Sequence, residues 1–132
     1  MNSKSTIATR NTRQKDAIRA AFVETDRPLS PDEVLSYAKR SVDDLSIATV
    51  YRNLKTMADE GWLIVVQLPA ESARYERSGK AHHHHFLCND CKKVYELDGC
   101  APIKPKLPRG FRTLGHEFLL YGLCAACVPK HA

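Results

Sequence analysis

Two Cys-x-x-Cys pairs constrain this chain more than any other feature. Cys88 and Cys91 form the first pair, and Cys124 and Cys127 form the second. Thiolates at this spacing can bind one ion together, and two such pairs supply the four ligands of tetrahedral zinc. Disulfides are the alternative, but residues 1–12 are polar and basic, without the apolar stretch of a secretory signal. We therefore expect a cytoplasmic protein with one structural Zn²⁺ per subunit.

An unbroken run of four histidines, His82–His85, precedes the first cysteine pair. Residues 82–87 are predicted to form a strand, in which alternate side chains share a face. The first and third histidines then face one side and the second and fourth face the other, so the run can contribute to two separate metal sites. The fifth cysteine, Cys100, belongs to no pair, and we interpret it as a small loop residue rather than a ligand.

Length and charge narrow the class of protein. A chain of 132 residues has room for one domain or two small ones, and a small half with few apolar residues usually needs a metal to fold. The net charge of +5 suits an anionic partner such as nucleic acid. No apolar run has the length of a transmembrane helix, so no membrane partner is expected.

The first half of the chain predicts three helices. Residues 12–24 carry apolar side chains at helical spacing. Ser30 begins a second helix through a capping box, and this helix should run to about Arg40. Ser46 begins the third helix, and Gly61 is placed to end it.

Strand-forming residues follow the third helix. Residues 62–68 and 73–77 predict a hairpin, and residues 82–87, 94–97 and 114–123 predict further strands. Three helices and a hairpin are the order of a winged helix, whose third helix enters the major groove of DNA. The alternative is any small helical domain that carries a hairpin. Helices followed by strands make the expected fold class α+β.

Four stretches carry a family resemblance that covers nearly the whole chain. They are SIATVYRNL at residues 46–54, RYE at 74–76, HHHHFLCNDC at 82–91 and HEFLLYGLCAAC at 116–127. With these motifs the chain resembles the ferric uptake regulator (Fur) family of metal-dependent bacterial repressors. The resemblance implies a winged-helix DNA-binding domain at residues 1–79 and a small α/β dimerisation domain at residues 80–132. It also implies a homodimer that binds an A·T-rich palindromic operator on double-stranded DNA when a sensing metal is present.

The resemblance also implies three metal sites. The structural zinc ligands map to Cys88, Cys91, Cys124 and Cys127. The regulatory metal, Fe²⁺ or Zn²⁺ with Mn²⁺ as a further option, maps to Glu76, His83, His85 and Glu96. A third site maps to His82, His84 and His116. The usual carboxylate of that third site falls near Ile103, which cannot bind a metal, so the third site is expected to be incomplete.

The DNA contacts follow from the same resemblance. Tyr51 is expected to contact thymine methyl groups, and Arg52 a guanine edge or a phosphate, with Thr49 on the same helix. Arg13 and Lys15 of the first helix are expected to contact phosphates. The alternative for both basic residues is ordinary solvated surface.

The chain departs from the family pattern at prolines. Pro28 stands where many members have a histidine that binds the regulatory metal. Pro102, Pro105 and Pro108 interrupt a segment that is often helical in the family, so any helix there should be brief.

Three other functions remain as alternatives. A peroxide-sensing regulator of the same family ranks behind an iron or zinc regulator. A histidine-rich metal-storage or trafficking protein would need no DNA. A zinc enzyme is disfavoured, because His116-Glu117 is not followed by a histidine at metalloprotease spacing.

Overall fold

The computed structural model describes residues 3–100 and 105–131. The chain divides into two compact units, residues 1–79 and residues 80–132. In the described part of the chain, every helix lacks the length or the apolar character that a bilayer-spanning segment requires.

Three helices form most of the first unit: α1 (Ser3–Thr25), α2 (Pro31–Ala38) and α3 (Ile47–Asp59). The predicted start of the first helix was wrong, because α1 begins nine residues before Thr12. Apolar periodicity detects only the part of a helix that packs on a core, whereas an established helix extends through polar residues at little cost. The predicted second helix was also two residues too long.

Local capping chemistry sets the boundaries of α2 and α3. The Ser30 side chain accepts a hydrogen bond from the Glu33 N–H, and the Glu33 carboxylate accepts one from the Ser30 N–H, which completes the predicted capping box. Ser46 caps α3 in the same way through the Thr49 N–H. Gly61 ends α3 with a φ of 84°, and its N–H donates to the Ala58 carbonyl in a Schellman arrangement.

The core of the first unit lies between the helices and a two-stranded hairpin. The hairpin pairs β1 (Leu63–Val66) and β2 (Arg74–Arg77) in antiparallel register. Leu29 extends it through two backbone hydrogen bonds with Tyr75, of 2.8 and 2.9 Å. The largest fully buried apolar side chains from the three helices are Phe22, Ile18, Leu54, Met57, Val34 and Val50. This packing fixes α3 against the hairpin.

A three-stranded sheet forms the second unit. Its strands are β3 (His84–Cys88), β4 (Val94–Leu97) and β5 (Leu119–Gly122), in the order β4-β3-β5. The central strand β3 pairs antiparallel with β4 and parallel with β5. A short 3-10 helix, Val128–His131, follows the second cysteine pair.

The predicted strand bounds in the second unit were only partly correct. β4 spans the predicted residues 94–97, but β3 begins two residues later than expected. The predicted strand at 114–123 shortens to β5, because only Leu119–Gly122 pair with β3. Pro105 and Pro108 lie in irregular backbone, which agrees with the missing backbone N–H of proline that a helix would need. Pro102 and Ile103 fall outside the described residues.

Candidate metal centres and nucleic-acid interface

The four paired cysteines converge at one end of the sheet in the second unit. Each of the four offers a sulfur within 4.8 Å of the other three, and the Cys91 and Cys124 sulfurs are 3.9 Å apart. A tetrahedral zinc with Zn–S bonds of about 2.3 Å separates its sulfurs by about 3.8 Å. All four cysteines have free thiols. The donor set therefore fits a zinc ion.

The backbone around this cluster favours thiolates. The Cys124 N–H donates a hydrogen bond to the Cys88 sulfur at 3.4 Å. This hydrogen bond is the largest influence on Cys88 and, together with hydrogen bonds from Cys91 and Asp90, lowers the pKa of Cys88 to about 6, which favours the thiolate at neutral pH. Burial raises the pKa of Cys127, so this thiol needs a cation to ionise. A zinc ion would supply that positive charge and bind all four sulfurs.

A second cluster in the same unit contains all three histidines that were expected to form the incomplete third site. The Nε2 atom of His82 lies 3.1 Å from that of His84 and 3.3 Å from that of His116. His84 is buried, and its ring stacks on Phe118 with the centroids 3.8 Å apart. Burial first, and then the charge of neighbouring histidines, lowers the pKa of His84. The neutral imidazole, which is the form that binds metals, is therefore favoured.

Cys100 also lies in this second cluster, although the sequence was interpreted as giving it a loop position and no ligand role. Its sulfur lies 2.7 Å from His116 Nε2 and 3.3 Å from His84 Nε2. Cys100 is 16 residues from each of these histidines, and only the fold brings them together. The sequence did carry one signal. The third site needed a fourth ligand besides its three histidines, and Cys100 was the one cysteine outside the two Cys-x-x-Cys pairs.

The other two histidines of the run form a separate pair. The rings of His83 and His85 are 4.9 Å apart between centroids, and both side chains are half-buried. Glu96 on β4 pairs with His85 across the sheet and forms a salt bridge with Lys80. A metal that used Glu96 would displace the Lys80 ammonium group. Alternate histidines of the run therefore share neighbours, as expected. His82 contacts His84, and His83 lies beside His85.

Two further positions of the expected regulatory site lie in the first unit. Glu76 is on β2 and is 1% exposed, which is unusual for a carboxylate because burial removes it from water. Pro28 is fully buried beside Leu29 and offers no ligand atom.

The α3 helix exposes side chains that were expected to contact DNA. Tyr51 is 54% exposed, and Arg52 is exposed beside it. Arg52 donates a hydrogen bond of 3.1 Å to the Thr49 hydroxyl, and Lys55 forms an exposed ion pair with Asp59. One open groove is lined by Tyr51, Arg52, Lys55 and Asp59 of α3 and by Tyr75 of the hairpin. The groove thus combines cationic donors with aromatic rings.

The first helix adds two more cations to the first unit. Arg13 and Lys15 are both exposed on α1. Their exposed side chains are therefore accessible to an anionic partner.

The sequence profile of the Ferric uptake regulator family matches residues 6–121. The chain therefore belongs to that family of metal-responsive regulators. The match covers both units, which together have the α+β make-up of the family fold.

Individual relatives differ in the metal that their names specify. The ferric uptake regulation protein of Campylobacter jejuni is 28% identical over an alignment of 129 residues that covers 92% of this chain and 81% of that protein. The zinc uptake regulation protein of Mycobacterium tuberculosis is also 28% identical, over 93% of this chain and 98% of its own length. The solved structure of the ferric uptake regulator from Francisella tularensis with iron has a TM-score of 0.64 at 26% identity, covering 86% of this chain and 90% of that one. Overall identity thus does not select a metal.

Proposed function

We propose that this chain is a metal-dependent, DNA-binding transcriptional repressor of metal homeostasis genes. The observation that carries the proposal is the groove between α3 and the hairpin, where Tyr51, Arg52 and Lys55 are exposed next to a rigid core. A helix with an exposed cationic and aromatic face can enter the major groove of DNA. In this proposal residues 1–79 are a winged-helix domain, α3 is the recognition helix, and the β1-β2 hairpin is the wing.

The roles of individual α3 residues follow from their exposure and chemistry. The Tyr51 ring offers apolar contact to thymine methyl groups, and the Arg52 guanidinium can bind a guanine edge or a phosphate. Thr49 is half-buried and orients Arg52 through its hydroxyl. A base or phosphate that binds Arg52 would compete with this hydrogen bond.

The second unit would hold the subunits together and bind the metals. Its edge strand β5 exposes Leu120 and Tyr121, which are apolar side chains suited to a second copy of the chain. The structural zinc is assigned to the four paired cysteines. We assign the regulatory metal to His83, His85 and Glu96 of this unit together with Glu76 of the first, following the family pattern. Imidazoles and carboxylates accept Fe²⁺, Zn²⁺ or Mn²⁺.

In this mechanism the regulatory metal would change the relative populations of conformations that the protein already samples, and it would not create a new fold. With the ion held by these residues, the dimer would favour arrangements in which the two recognition helices match successive DNA half-sites. Linkage then requires operator DNA to raise metal affinity by the same factor by which metal raises DNA affinity. This equality can be measured by comparing metal affinity with and without DNA and DNA affinity with and without metal.

The proposal is tested by the fluorescence anisotropy of an A·T-rich palindromic duplex. Protein that carries only its four-cysteine zinc is titrated, without oxygen, with Fe²⁺, Zn²⁺ or Mn²⁺ in separate experiments. We expect tight binding only after a second metal is added, and the ion effective at the lowest free concentration is the sensed one. A scrambled duplex of equal composition is the control. Binding that is equal with and without added metal, or equal on both duplexes, would refute a metal-dependent repressor.

The salt dependence of this binding gives a prediction for α1. Replacing Arg13 with alanine should lower the slope of log K against log salt concentration by about 0.9 for each phosphate contact that is lost. Preference for the palindrome over the scrambled duplex should not change, because phosphate contacts carry no sequence information. Arg109→Ala is the matched control, since Arg109 is an exposed arginine in the second unit. An unchanged slope in Arg13→Ala would place Arg13 outside the interface.

A further inference from the structure

The cluster of His82, His84, His116 and Cys100 has contacts that hydrogen bonding cannot satisfy. Four contacts of 2.7 to 3.3 Å form a closed ring: His82 to His84, His84 to Cys100, Cys100 to His116 and His116 to His82. Every histidine takes part through Nε2, which carries either one proton or one lone pair and makes one linear hydrogen bond. At most two of the four contacts can therefore be hydrogen bonds at the same time.

A cation at the centre of this ring would satisfy all four groups. The four ligand atoms lie within 4.8 Å of one another. A tetrahedral zinc with Zn–N bonds of about 2.0–2.1 Å and a Zn–S bond of about 2.3 Å places its ligands about 3.3–3.6 Å apart. Three of the observed contacts, at 3.1 to 3.3 Å, lie at or just below this spacing, and the Cys100–His116 contact of 2.7 Å is shorter. Each of the four groups would then have the ion as its partner, whereas without the ion at most two of the four contacts can be hydrogen bonds.

We infer that Cys100 supplies the fourth ligand of a zinc site completed by His82, His84 and His116. Ile103 cannot bind a metal, but the thiolate of Cys100 takes the place of the missing carboxylate. The third site is therefore complete. This replacement changes the chemistry of the site. A thiolate with three imidazoles selects zinc, whereas a carboxylate in the same place would also suit iron(II) or manganese(II).

The site is chemically distinct from the other two metal centres of the chain. The four-cysteine cluster contains only sulfur ligands, and the set of His83, His85 and Glu96 contains no sulfur. A site with one thiolate therefore has its own spectroscopic signature. The inference does not depend on DNA binding, so it can fail or succeed independently of the proposed function.

The test uses cobalt(II) as a spectroscopic substitute for zinc. Full-length protein whose four-cysteine site is already filled with zinc is titrated with cobalt(II) without oxygen. We expect a thiolate-to-cobalt charge-transfer band in the near ultraviolet, together with the strong visible bands of four-coordinate cobalt. Zinc added afterwards should remove these bands, and manganese(II) at the same concentration should not.

Variants decide which cysteine produces the band. Cys100→Ser should abolish it, and because Cys100 is exposed, this substitution should leave the β-sheet intact. His82→Ala should also weaken it strongly, while His83→Ala, the adjacent histidine of the other pair, should keep it. Hydrogen exchange at β3 and β4 checks that each variant is folded. A band that persists in Cys100→Ser would come from the four-cysteine cluster and would overturn the assignment, as would the absence of a band in the unaltered protein.

Discussion

Replacing Cys91 with serine is expected to unfold residues 80–132 while residues 1–79 stay folded. The second unit has few apolar side chains to hold it together, and its buried hydrophobic residues in the described part of the chain are Leu87, Cys88, Val94 and Cys127. Two of these four are ligands of the proposed zinc site. Structural zinc contributes about 10–16 kcal/mol of apparent binding energy in small domains, which is comparable to the whole stability of such a domain. The sheet should therefore depend on the metal.

Cys91 is the most informative ligand to replace because its side chain is exposed. Removing its sulfur takes away a ligand without opening a cavity in the core, so unfolding cannot be explained by lost packing. Cys100→Ser is the matched control, since Cys100 is also exposed but lies outside the four-cysteine cluster. It should lose the cobalt band and keep the sheet.

Two probes can follow the two units separately. The chain has one tryptophan, Trp62, whose ring makes an edge-to-face contact with Phe22 in the first unit, with the centroids 6.1 Å apart. Its fluorescence should be unchanged in Cys91→Ser. Hydrogen exchange of the β3 and β4 amides should become fast in this variant and, for the unaltered protein, after treatment with a strong chelator. If these amides stay protected after zinc has been removed, zinc does not stabilise the second unit.

The sequence was most informative where local chemistry determines structure. The Ser30 capping box, the Ser46 cap and the Gly61 helix end are each decided by residues within one turn of the chain, and all three are present. The same holds for the two cysteine pairs, whose spacing already directs both sulfurs of a pair towards one ion. Local signals of this kind do not depend on the rest of the fold.

The sequence was least informative where tertiary contacts determine structure. The β5 strand is shorter than its β-forming composition suggests, because its length is set by the residues of β3 that are available for pairing. Cys100 reaches the histidines only through the tertiary fold, and no spacing rule links it to residues 16 positions away in each direction. Counting the ligands that each predicted metal site still lacked would have identified Cys100, whereas motif spacing could not.

Removing the Tyr51 ring should have the largest effect on DNA binding of any single change on α3. Tyr51→Ala deletes a side chain that is 54% exposed and belongs to no core, so the fold and the zinc content should not change. A specific base contact contributes about 1–3 kcal/mol, which corresponds to roughly a 5- to 150-fold weaker affinity for the palindromic duplex. Affinity for the scrambled duplex should stay nearly constant, because phosphate contacts dominate nonspecific binding.

Two variants separate the ring of Tyr51 from its hydroxyl and from general surface effects. Tyr51→Phe keeps the apolar ring and should retain most of the specific affinity if the ring contacts thymine methyl groups. Val23→Ala removes another exposed apolar side chain, on α1, and should bind both duplexes normally. Anisotropy titrations of the three variants at one salt concentration and a saturating level of the sensed metal make the comparison. Equal loss in Tyr51→Phe and Tyr51→Ala would move the contact from the ring to the hydroxyl, and no loss in either would exclude Tyr51 from base recognition.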